Sequence, residues 1–458
     1  MRRLLNRFVP NFEDRVCLAA DLLVMSAVII LATPWPSLVT AGAVLLAIGT
    51  WLVTSSSIRH YTPPADRSTL DDTMLGAVLV LAVATVLLPL AWIPSPYGSV
   101  PSLVRFLALA LPSLFLLRLL LFSTLQARSR EPERVLVVGT GPLGRLTGED
   151  IARNKRRRQR VHGYLSFPGD PLPERLKPFH LGSVEDLQLC LRMLSVDEVY
   201  IAGSALAQGA AMEAAAGVCE TFGVPFALPA YSLRLKRALP VDNRTVSDGY
   251  LHFTSLKSQP TARVAKRVLD IAGSAAALWV LAPLLSLVAV LVKVTSAGPV
   301  FFRQPRVGHH GRMFNMLKFR SMVTGAEVLQ RALENQNEQS GPVFKIRRDP
   351  RVTPLGRILR KFSIDELPQL VNVLRGDMTL VGPRPPVAKE VAQYEPWQLR
   401  RLSVVPGLTC IWQVSGRNEI GFKDWMYLDL RYIDHWSLGQ DLSLLLKTVP
   451  TVVAGRGH

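Results

Sequence analysis

Cysteine is scarce in this sequence. The 458 residues include four cysteines, Cys17, Cys190, Cys219 and Cys410, which lie far apart and form no C-x-x-C pair. Neither a disulfide framework nor a zinc site is therefore indicated, and a reduced protein that faces the cytoplasm is the simplest interpretation. A secretory cleavage pattern is also lacking after the first apolar run, so we expect that run to stay in the mature chain.

Acidic residues are also few. The chain has 35 Asp and Glu residues against 53 Lys and Arg residues, which gives a net charge of +18. Such an excess fits nucleic acid, an anionic membrane surface or a phosphate-rich substrate as partner. Hydrophobic residues make up 49% of the chain and its mean hydropathy is +0.23, which argues against nucleic acid and favours membrane segments. The length leaves room for about three domains, each with its own core.

Four apolar stretches lie in the first part of the chain, at roughly 16–33, 38–54, 73–93 and 103–125. Each approaches the ~20 residues that a helix needs to cross a bilayer. Arginines precede the first stretch and follow the fourth, whereas the loops at 33–37 and 94–102 contain no Lys or Arg. By the positive-inside rule, residues 1–128 are predicted to form a four-helix transmembrane domain with both ends in the cytoplasm. Asp21, inside the first stretch, is predicted to snorkel or to pack against another helix.

A fifth apolar run, Ile271–Val292, has no charged residue and is long enough to span a bilayer. Basic clusters flank this run on both sides, so a spanning helix would place one cluster on the wrong side of the membrane. Pro283 lies near the middle of the run, where it removes a backbone hydrogen bond and bends a helix. We therefore predict a re-entrant helix at about 268–295, which breaks at Pro283, enters one leaflet and returns to the cytoplasm. An ordinary kinked span stays the alternative.

The middle of the chain has the pattern of alternating strands and helices. Residues 134–144, RVLVVGTGPLG, are typical of a strand that runs into G-x-G-x-x-G, the phosphate-binding turn of a Rossmann-like unit. Further strand signals follow at 161–167, 197–203 and 223–229. Together they predict a Rossmann-like α/β domain over 131–250, followed by a linker over 251–262. The strand at 161–167 does not end on an acidic residue that could bind a ribose, and Asp170 comes late, so a structural or regulatory role is favoured over catalysis.

Three cationic residues of the C-terminal part have a spacing that suits phosphate. On a predicted strand at 313–320, Lys318 and Arg320 are two positions apart and so share a face. Two cations side by side suit a diphosphate, because Arg makes a forked contact and Lys acts as a point charge. Arg384 lies between two prolines, which restrict the backbone and present its guanidinium rigidly to an anion. The alternatives are solvated strand charges for the first two residues and a surface turn for Arg384.

Two adjacent carboxylates, Asp365 and Glu366, follow a short predicted helix that is capped by Thr353. If Ser363 caps the next helix, Pro368 falls inside that helix and removes a hydrogen bond, whereas with Asp365 as N-cap the proline costs less. Asp365 is therefore predicted at the helix mouth, where the dipole and the free N–H groups favour both a carboxylate and a phosphate. We expect Asp365 to stay ionised and nucleophilic there, and Glu366 to bind a divalent cation or to manage a proton.

Residues 263–458 resemble a bacterial sugar transferase of the monotopic polyprenyl-phosphate phosphoglycosyl transferase superfamily. The stretches that carry the resemblance are KRVLDIAGS, GPVFFRQPRVG, MLKFRSM, SIDELPQLVNVLRGDM, VGPRPP, PGLTCIWQVSGR and LDLRYIDHWSL. The whole chain is similar to the large members of that family, which implies a membrane protein with three parts. These are a four-helix transmembrane bundle, a cytoplasmic Rossmann-like α/β domain and an α/β monotopic catalytic domain over 263–458 with a re-entrant membrane helix. The implied location is the bacterial inner membrane.

The resemblance implies transfer of a sugar-1-phosphate, with a hexose as the expected sugar, from a UDP-sugar to undecaprenyl phosphate, with release of UMP. Such a reaction initiates exopolysaccharide, capsule or O-antigen synthesis. The implied cofactor is Mg²⁺. The expected partners are the UDP-sugar, undecaprenyl phosphate and membrane lipids, without nucleic acid, and a homodimer is one candidate assembly.

The resemblance also implies roles for individual residues. Asp365 matches the nucleophile that carries a covalent phosphosugar, and Glu366 matches its catalytic partner; both are implied as ligands of Mg²⁺. Arginines of the phosphate site are matched by Arg360, Arg384 and Arg417, while Lys318 and Asp429 align more loosely with active-site positions. Together with Arg320, these five are the predicted substrate-binding residues. Two positions depart from the family pattern, since Ala282 stands where many members have Ser and Cys410 stands where they have Gly.

Two other functions fit a layout in which membrane spans precede a Rossmann-like domain. A membrane-anchored NAD-dependent nucleotide-sugar epimerase or dehydratase needs a Tyr-x-x-x-Lys pair, but Tyr427 is followed four residues later by Arg431. Neither Tyr200 nor Tyr432 has the lysine, which disfavours this alternative. A non-enzymatic nucleotide-sensing membrane scaffold is the second alternative, and it predicts that Asp365→Asn leaves function intact.

Overall fold

The computed structural model describes most of the chain. The described residues are 12–32, 37–61, 69–89, 100–117, 132–153, 159–229, 250–253, 260–330, 333, 338, 343–344, 346, 349–415 and 421–453. The chain folds into two compact units, each assembled from several segments. The first unit contains Met1–Glu131, Val264–Val280 and Leu370–Gly376, and the second contains Pro132–Arg263, Leu281–Gln369 and Asp377–His458.

Four apolar helices of the first unit correspond to the four predicted stretches. They are α1 (Phe12–Ala32), α2 (Ser37–Ser57), α3 (Thr69–Leu87) and α4 (Val100–Leu117). The first three contain apolar segments long enough to cross a membrane, whereas that of α4, Leu103–Leu117, is shorter. Residues 118–125 of the fourth predicted stretch lie outside the described residues. The apolar N-terminal helices are confirmed, and their orientation stays a prediction.

A buried hydrogen-bond chain connects two of these helices. Tyr61, which follows α2, donates its hydroxyl to Asp21 Oδ2 of α1 at 2.6 Å and accepts from Trp51 Nε1 at 2.8 Å. All three residues are buried. Because a carboxylate within an apolar helix bundle is costly unless it is hydrogen-bonded, Tyr61 stabilises the buried side chain of Asp21. Asp21 therefore packs against another helix, which was one of its two predicted roles.

A six-stranded sheet forms the first part of the second unit, which we call the α/β part. Its elements are β1 (Glu133–Val138), α5 (Pro142–Arg153), β2 (Gln159–Ser166), β3 (His180–Ser183), α6 (Leu187–Met193), β4 (Glu198–Ile201), α7 (Ala205–Phe222), β5 (Phe226–Pro229) and β6 (Tyr250–Phe253). The strand order is β3-β2-β1-β4-β5-β6, and every pairing except β5 with β6 is parallel. The central strand β1 is buried on both faces, which explains its continuous apolar run.

The predicted α/β region with a parallel sheet is thus confirmed. The sheet also continues past residue 250, because β6 pairs antiparallel with β5 at the start of the segment predicted as a linker. The rings of Phe226 and Phe253 stack across this pair with centroids 5.2 Å apart. The edge strand β6 is only four residues long and shows no clear alternation of apolar and polar residues, so the sequence pattern did not reveal it.

The long helix α8 (Pro260–Thr295) contributes residues to both units. It continues through Pro283 without interruption, so the predicted helix break is not seen. Proline removes one backbone N–H, but its φ is compatible with a helix, and apolar helices tolerate this loss. Several apolar side chains of α8 are largely exposed, among them Trp279, Leu287 and Val294. Such a surface suits lipid, and the re-entrant path through one leaflet stays a prediction.

The elements after α8 form what we call the C-terminal part, which lies in the second unit except for most of its helix Gln369–Arg375. They are β7 (Phe301–Val307), β8 (Met313–Phe319), α9 (Ala326–Gln330), α10 (Pro354–Lys361), α11 (Gln369–Arg375), β9 (Thr379–Val381), α12 (Ala388–Val391), α13 (Pro396–Leu399), β10 (Gly407–Thr409), α14 (Ile411–Ser415), α15 (Phe422–Asp434) and α16 (Leu438–Val453). Strands β7 and β8 form an antiparallel hairpin, and β9 pairs with β10 in parallel. Cys410 has a negative φ, so it occupies its turn without the strain that a left-handed position would impose.

Within the second unit, the α/β part and the C-terminal part share one apolar core. Phe222 and Val224 of the α/β part belong to the same buried cluster as Leu399 and Trp412 of the C-terminal part. A polar contact also connects the two parts. Asp197 Oδ2 accepts hydrogen bonds from Arg134 N of the α/β part and from Arg312 Nη2 of the C-terminal part, each at 2.7 Å. The two parts are therefore packed together as one body, although the sequence pattern presents them as separate domains.

Candidate active site

Asp365 and Glu366 lie in one 3₁₀ turn, Ile364–Glu366, between α10 and α11. Ser363 precedes this turn with a φ of 54°, in the left-handed region, and its N–H donates to a carbonyl at the end of α10 at 3.0 Å. Helix α11 begins only at Gln369, so the prediction that Asp365 is its N-cap is wrong. Ser363 follows α10 and precedes a separate 3₁₀ turn, whereas the N-cap prediction assumed that a single helix begins in this stretch.

The Asp365 carboxyl is buried beside two cations. Burial raises the pKa of Asp365 above its ordinary range, and the positive charges of Lys318 and Arg360 oppose this shift, while Glu366 adds to it. The expectation that a helix mouth keeps Asp365 ionised is therefore replaced by a balance between burial and two cations. A carboxyl in such a balance is typical of a functional site.

The structure brings Lys318 and the carboxylate pair together. The predicted strand at 313–320 is present as β8, and Lys318 lies at its end. Its Nζ donates to Glu366 Oε1 at 2.6 Å, and both side chains are less than a third exposed. A charge-assisted hydrogen bond of this kind holds the Glu366 carboxylate in one orientation beside Lys318.

Arg320 does not join this cluster. Its Nη2 donates to Ser296 O at 2.7 Å, to Ser296 Oγ at 2.6 Å and to Val292 O at 3.3 Å. These atoms lie at the C-terminal end of α8, where the helix dipole attracts a cation. Arg320 follows the last residue of β8, so the alternation that was expected to keep it beside Lys318 has already ended. The predicted substrate-binding role of Arg320 has no support in this arrangement.

Arg360 reaches the site from the end of α10. Thr353 is the N-cap of this helix as predicted, since its Oγ1 accepts from Gly356 N at 3.0 Å. Arg360 Nε donates to Ser321 Oγ at 2.9 Å, which orients the guanidinium. Burial lowers the pKa of Arg360, and the negative charge of Asp365 opposes that shift. The structure therefore places Arg360 next to the predicted nucleophile.

Arg384 lies half-buried in the proline turn between β9 and α12. A second arginine, Arg306 on β7, donates from Nη1 to Pro385 O of this turn at 2.9 Å. Burial lowers the pKa of Arg306 to about 10, and the positive charge of Arg384 adds to this shift. The negative charges of Glu390 and Glu366 oppose this shift. Arg306 was missed by sequence reasoning; the signal that could have revealed it is a cation at a position that the strand buries.

Asp429 lies inside α15. Its carboxylate is buried and pairs with Arg401, with Nη2 and Oδ2 2.7 Å apart. Burial raises the pKa of Asp429 to about 6, because desolvation outweighs the attraction of Arg401. The structure therefore gives Asp429 a buried arginine as partner, and its role toward a substrate stays a prediction. Arg417, also predicted to bind substrate, lies outside the described residues.

Asp365 and Glu366 are the predicted ligands of Mg²⁺. In the part of the chain that the structure describes, no group of three or more His, Cys, Asp or Glu side chains could hold a metal ion. A magnesium ion in a phosphate-transfer site, however, uses one or two carboxylates together with substrate phosphate oxygens and water. Asp365, whose burial opposes its negative charge, and Glu366, which has one oxygen engaged by Lys318, fit this smaller ligand set.

The glycine-rich turn of the α/β part is filled by a side chain of the protein. Gly144 is required there, because a Cβ would lie 1.9 Å from Gly139 O. Asp170 Oδ2 accepts from Thr140 N at 3.0 Å and from Gly141 N at 3.3 Å. Main-chain N–H groups at this turn are the ones that bind a pyrophosphate in dinucleotide-binding domains. In this protein they are engaged by the late aspartate that the sequence pattern set aside.

The C-terminal part matches a known family. Residues 261–455 match the sequence model described as "Bacterial sugar transferase". The undecaprenyl-phosphate glucose phosphotransferase of Komagataeibacter xylinus is 32% identical over 421 residues, which cover 88% of this chain and 72% of that protein. The similarity therefore includes the α/β part and much of the N-terminal region as well as the C-terminal part.

Other relatives match less than half of this chain. The exopolysaccharide production protein ExoY of Rhizobium meliloti is 42% identical over 203 residues, 43% of this chain and 90% of that protein. The undecaprenyl-phosphate galactose phosphotransferase of Salmonella typhimurium is 40% identical over 232 residues, 48% of each chain. The galactosyl transferase CpsE of Streptococcus agalactiae is 45% identical over 195 residues, 42% of this chain and 43% of that protein. The match thus spans less than half the length of the last two relatives.

Proposed function

Because the chain belongs to the bacterial sugar transferase family, we propose that it transfers a hexose-1-phosphate from a UDP-sugar to undecaprenyl phosphate and releases UMP. The observation that carries this proposal is the buried carboxyl of Asp365 between the cations of Lys318 and Arg360. Two relatives are named as undecaprenyl-phosphate phosphotransferases of glucose and of galactose, which supports a hexose and the lipid acceptor. The product would begin a polysaccharide, as the name of the ExoY relative suggests.

The reaction proceeds in two displacements at one phosphorus atom. In the first, an oxygen of Asp365 bonds to the sugar-proximal phosphorus, and the bond from that phosphorus to the bridging oxygen breaks, so that UMP leaves. In the second, a phosphate oxygen of undecaprenyl phosphate bonds to the same phosphorus, and the bond to Asp365 breaks. The carboxylate is restored, and the sugar is joined to the lipid through a diphosphate.

The surrounding side chains neutralise the charge of this chemistry. Lys318 and Arg360 lower the cost of the ionised Asp365 before attack and of the phosphoryl oxygens during it. Arg384 presents a guanidinium to the diphosphate from the neighbouring turn. Asp365 and Glu366 would hold Mg²⁺, which would supply positive charge to the phosphate oxygens. Glu366 is held beside Asp365 by the hydrogen bond from Lys318 Nζ to its Oε1.

A UMP-release assay tests this proposal. The full-length protein in lipid nanodiscs with undecaprenyl phosphate and Mg²⁺ is expected to release UMP from UDP-glucose or UDP-galactose. Asp365→Asn should lower the rate by about 10³-fold or more, because an amide is a far weaker nucleophile. Asp424→Asn, at an exposed position of α15, is the matched control and should retain the wild-type rate. Equal rates for Asp365→Asn and wild type would exclude Asp365 as the nucleophile and favour the scaffold alternative.

A further inference from the structure

The proline turn that carries Arg384 is held at four consecutive carbonyls. The acceptors and donors are Pro383 O with Gly407 N at 2.8 Å, Arg384 O with Arg401 Nη2 at 2.9 Å, Pro385 O with Arg306 Nη1 at 2.9 Å, and Pro386 O with Val307 N at 2.9 Å. Three of these four residues are prolines, whose φ angles are already fixed by the ring. The main chain beneath the Arg384 side chain is therefore restrained by its dihedral angles and by its hydrogen bonds together.

Two of the four donors are buried arginine side chains. Arg306 and Arg401 are 6% and 5% exposed, and burial of a guanidinium is costly unless its charge and its hydrogen bonds are compensated. Arg401 is compensated by Asp429, and its Nη1 donates to Tyr394 Oη at 2.8 Å. Arg306 is held by Gln304 Oε1, with Nη2 at 2.8 Å and Nε at 3.2 Å.

A neighbouring ion pair shows that this arrangement is specific. Arg400 and Asp434 come from the same two elements as Arg401 and Asp429, but their side chains are 27% and 39% exposed, so they form an ordinary partly solvated pair. Only the buried pair donates to the proline turn, through Arg401 Nη2 to Arg384 O. If the buried pair served only to pack α15, the hydrogen bond from Arg401 to Arg384 O would not be needed.

We infer that Arg306, Arg401 and Asp429 are positioning residues that fix the main chain of Arg384 and so present its guanidinium to the diphosphate of the donor. This inference rests on the proposed function. Asp429 orients Arg401, and Arg401 and Arg306 hold adjacent carbonyls of the turn that carries Arg384. An arginine held in advance loses less conformational entropy when it binds an anion, so the expected benefit is tighter donor binding.

A double-mutant cycle tests this inference. The probe is UDP, with its dissociation constant measured by calorimetry on the full-length protein, alongside KM and kcat for UMP release. Arg401→Lys keeps the charge but removes the separate Nη1 and Nη2 donors that bond to Tyr394 Oη and Arg384 O. This change should weaken UDP binding by about tenfold, with a smaller change in kcat. In the Arg384→Gln background the same change should have no further effect, because the residue it positions is gone.

The outcomes separate a positioning role from a purely structural one. Equal effects of Arg401→Lys in both backgrounds, or no effect on UDP binding in either, would overturn the inference. If Arg401→Lys does not fold, Arg306→Lys is put through the same cycle and carries the same expectation. Asp434→Asn is the matched control and should bind UDP like wild type. Because UDP binding is measured without turnover, a protein that binds UDP but releases no UMP would refute the proposed function and still allow the cycle to decide.

Discussion

At Asp365, the ionisation of one carboxyl depends on two opposing effects. Burial raises its pKa, and the charge of Lys318 lowers it. The unprotonated form is the nucleophile, so the rate should rise with pH as Asp365 loses its proton. The acid limb of the pH–rate profile is therefore expected above the range of an ordinary aspartate.

Lys318→Gln tests that balance. Removing the positive charge eliminates an effect that lowers the pKa of Asp365, so the acid limb of kcat/KM for UMP release should move to higher pH. The measurement is the midpoint of the limb, which does not depend on how much the maximal rate falls. Lys361→Gln removes an equal charge from the exposed end of α10 and is expected to leave the midpoint unchanged. A midpoint that stays in place or moves to lower pH in Lys318→Gln would show that this lysine does not control the nucleophile.

At the scale of single elements, the glycine-rich turn of the α/β part has its N–H donors engaged by Asp170. We expect Asp170→Ser to free these donors and to allow ADP, used as the probe, to bind about tenfold more tightly than to wild type. Calorimetry on the full-length protein measures the difference, and Asp150→Asn on the exposed side of α5 is the control. Tight ADP binding by wild type, unchanged in Asp170→Ser, would show that the carboxylate does not close the turn.

Elements were predictable where their signals lie within a few residues. The cap of α10 by Thr353 and the strand that enters the glycine-rich turn both depend on neighbours in the sequence, and both are present. The predicted N-cap at Asp365 failed because a serine with positive φ separates two turns. Arg320 donates to carbonyl and hydroxyl oxygens at the C-terminal end of α8, partners that no strand pattern reveals, and its role toward a substrate stays a prediction.

The support of the candidate site could not be predicted for a related reason. Arg306 and Arg401 donate to main-chain carbonyls of a turn that lies far from Arg306 in the sequence, and any residue type supplies such a carbonyl. The residues expected to meet the substrate have recognisable chemistry and spacing, as Asp365 and Glu366 do. Their supporting residues become visible only when the fold brings the donor and the acceptor together.

At the scale of the second unit, the shared core predicts that the α/β part and the C-terminal part lose structure together. Asp197 joins them through His310 and Arg312. Hydrogen bonds from His310, from the Arg134 N–H and from Arg312, together with the charge of Arg312, hold the pKa of Asp197 well below its usual range against the effect of burial. A depressed pKa in the folded state stabilises the protein above the pKa of the unfolded aspartate, about 3.9. That contribution is lost as the pH falls below this value toward the folded pKa.

Asp197→Asn should therefore destabilise the second unit by about 2 kcal/mol at neutral pH, and the difference from wild type should shrink below about pH 4. Hydrogen exchange followed by mass spectrometry locates the effect. Peptides from Phe422–Asp434, which belong to the C-terminal part, should exchange faster in the variant together with peptides from β1 and β4. Glu174→Gln, which removes an exposed ion pair with Lys177, should leave both sets unchanged. Faster exchange confined to the α/β part would mean that the shared core does not couple the two parts.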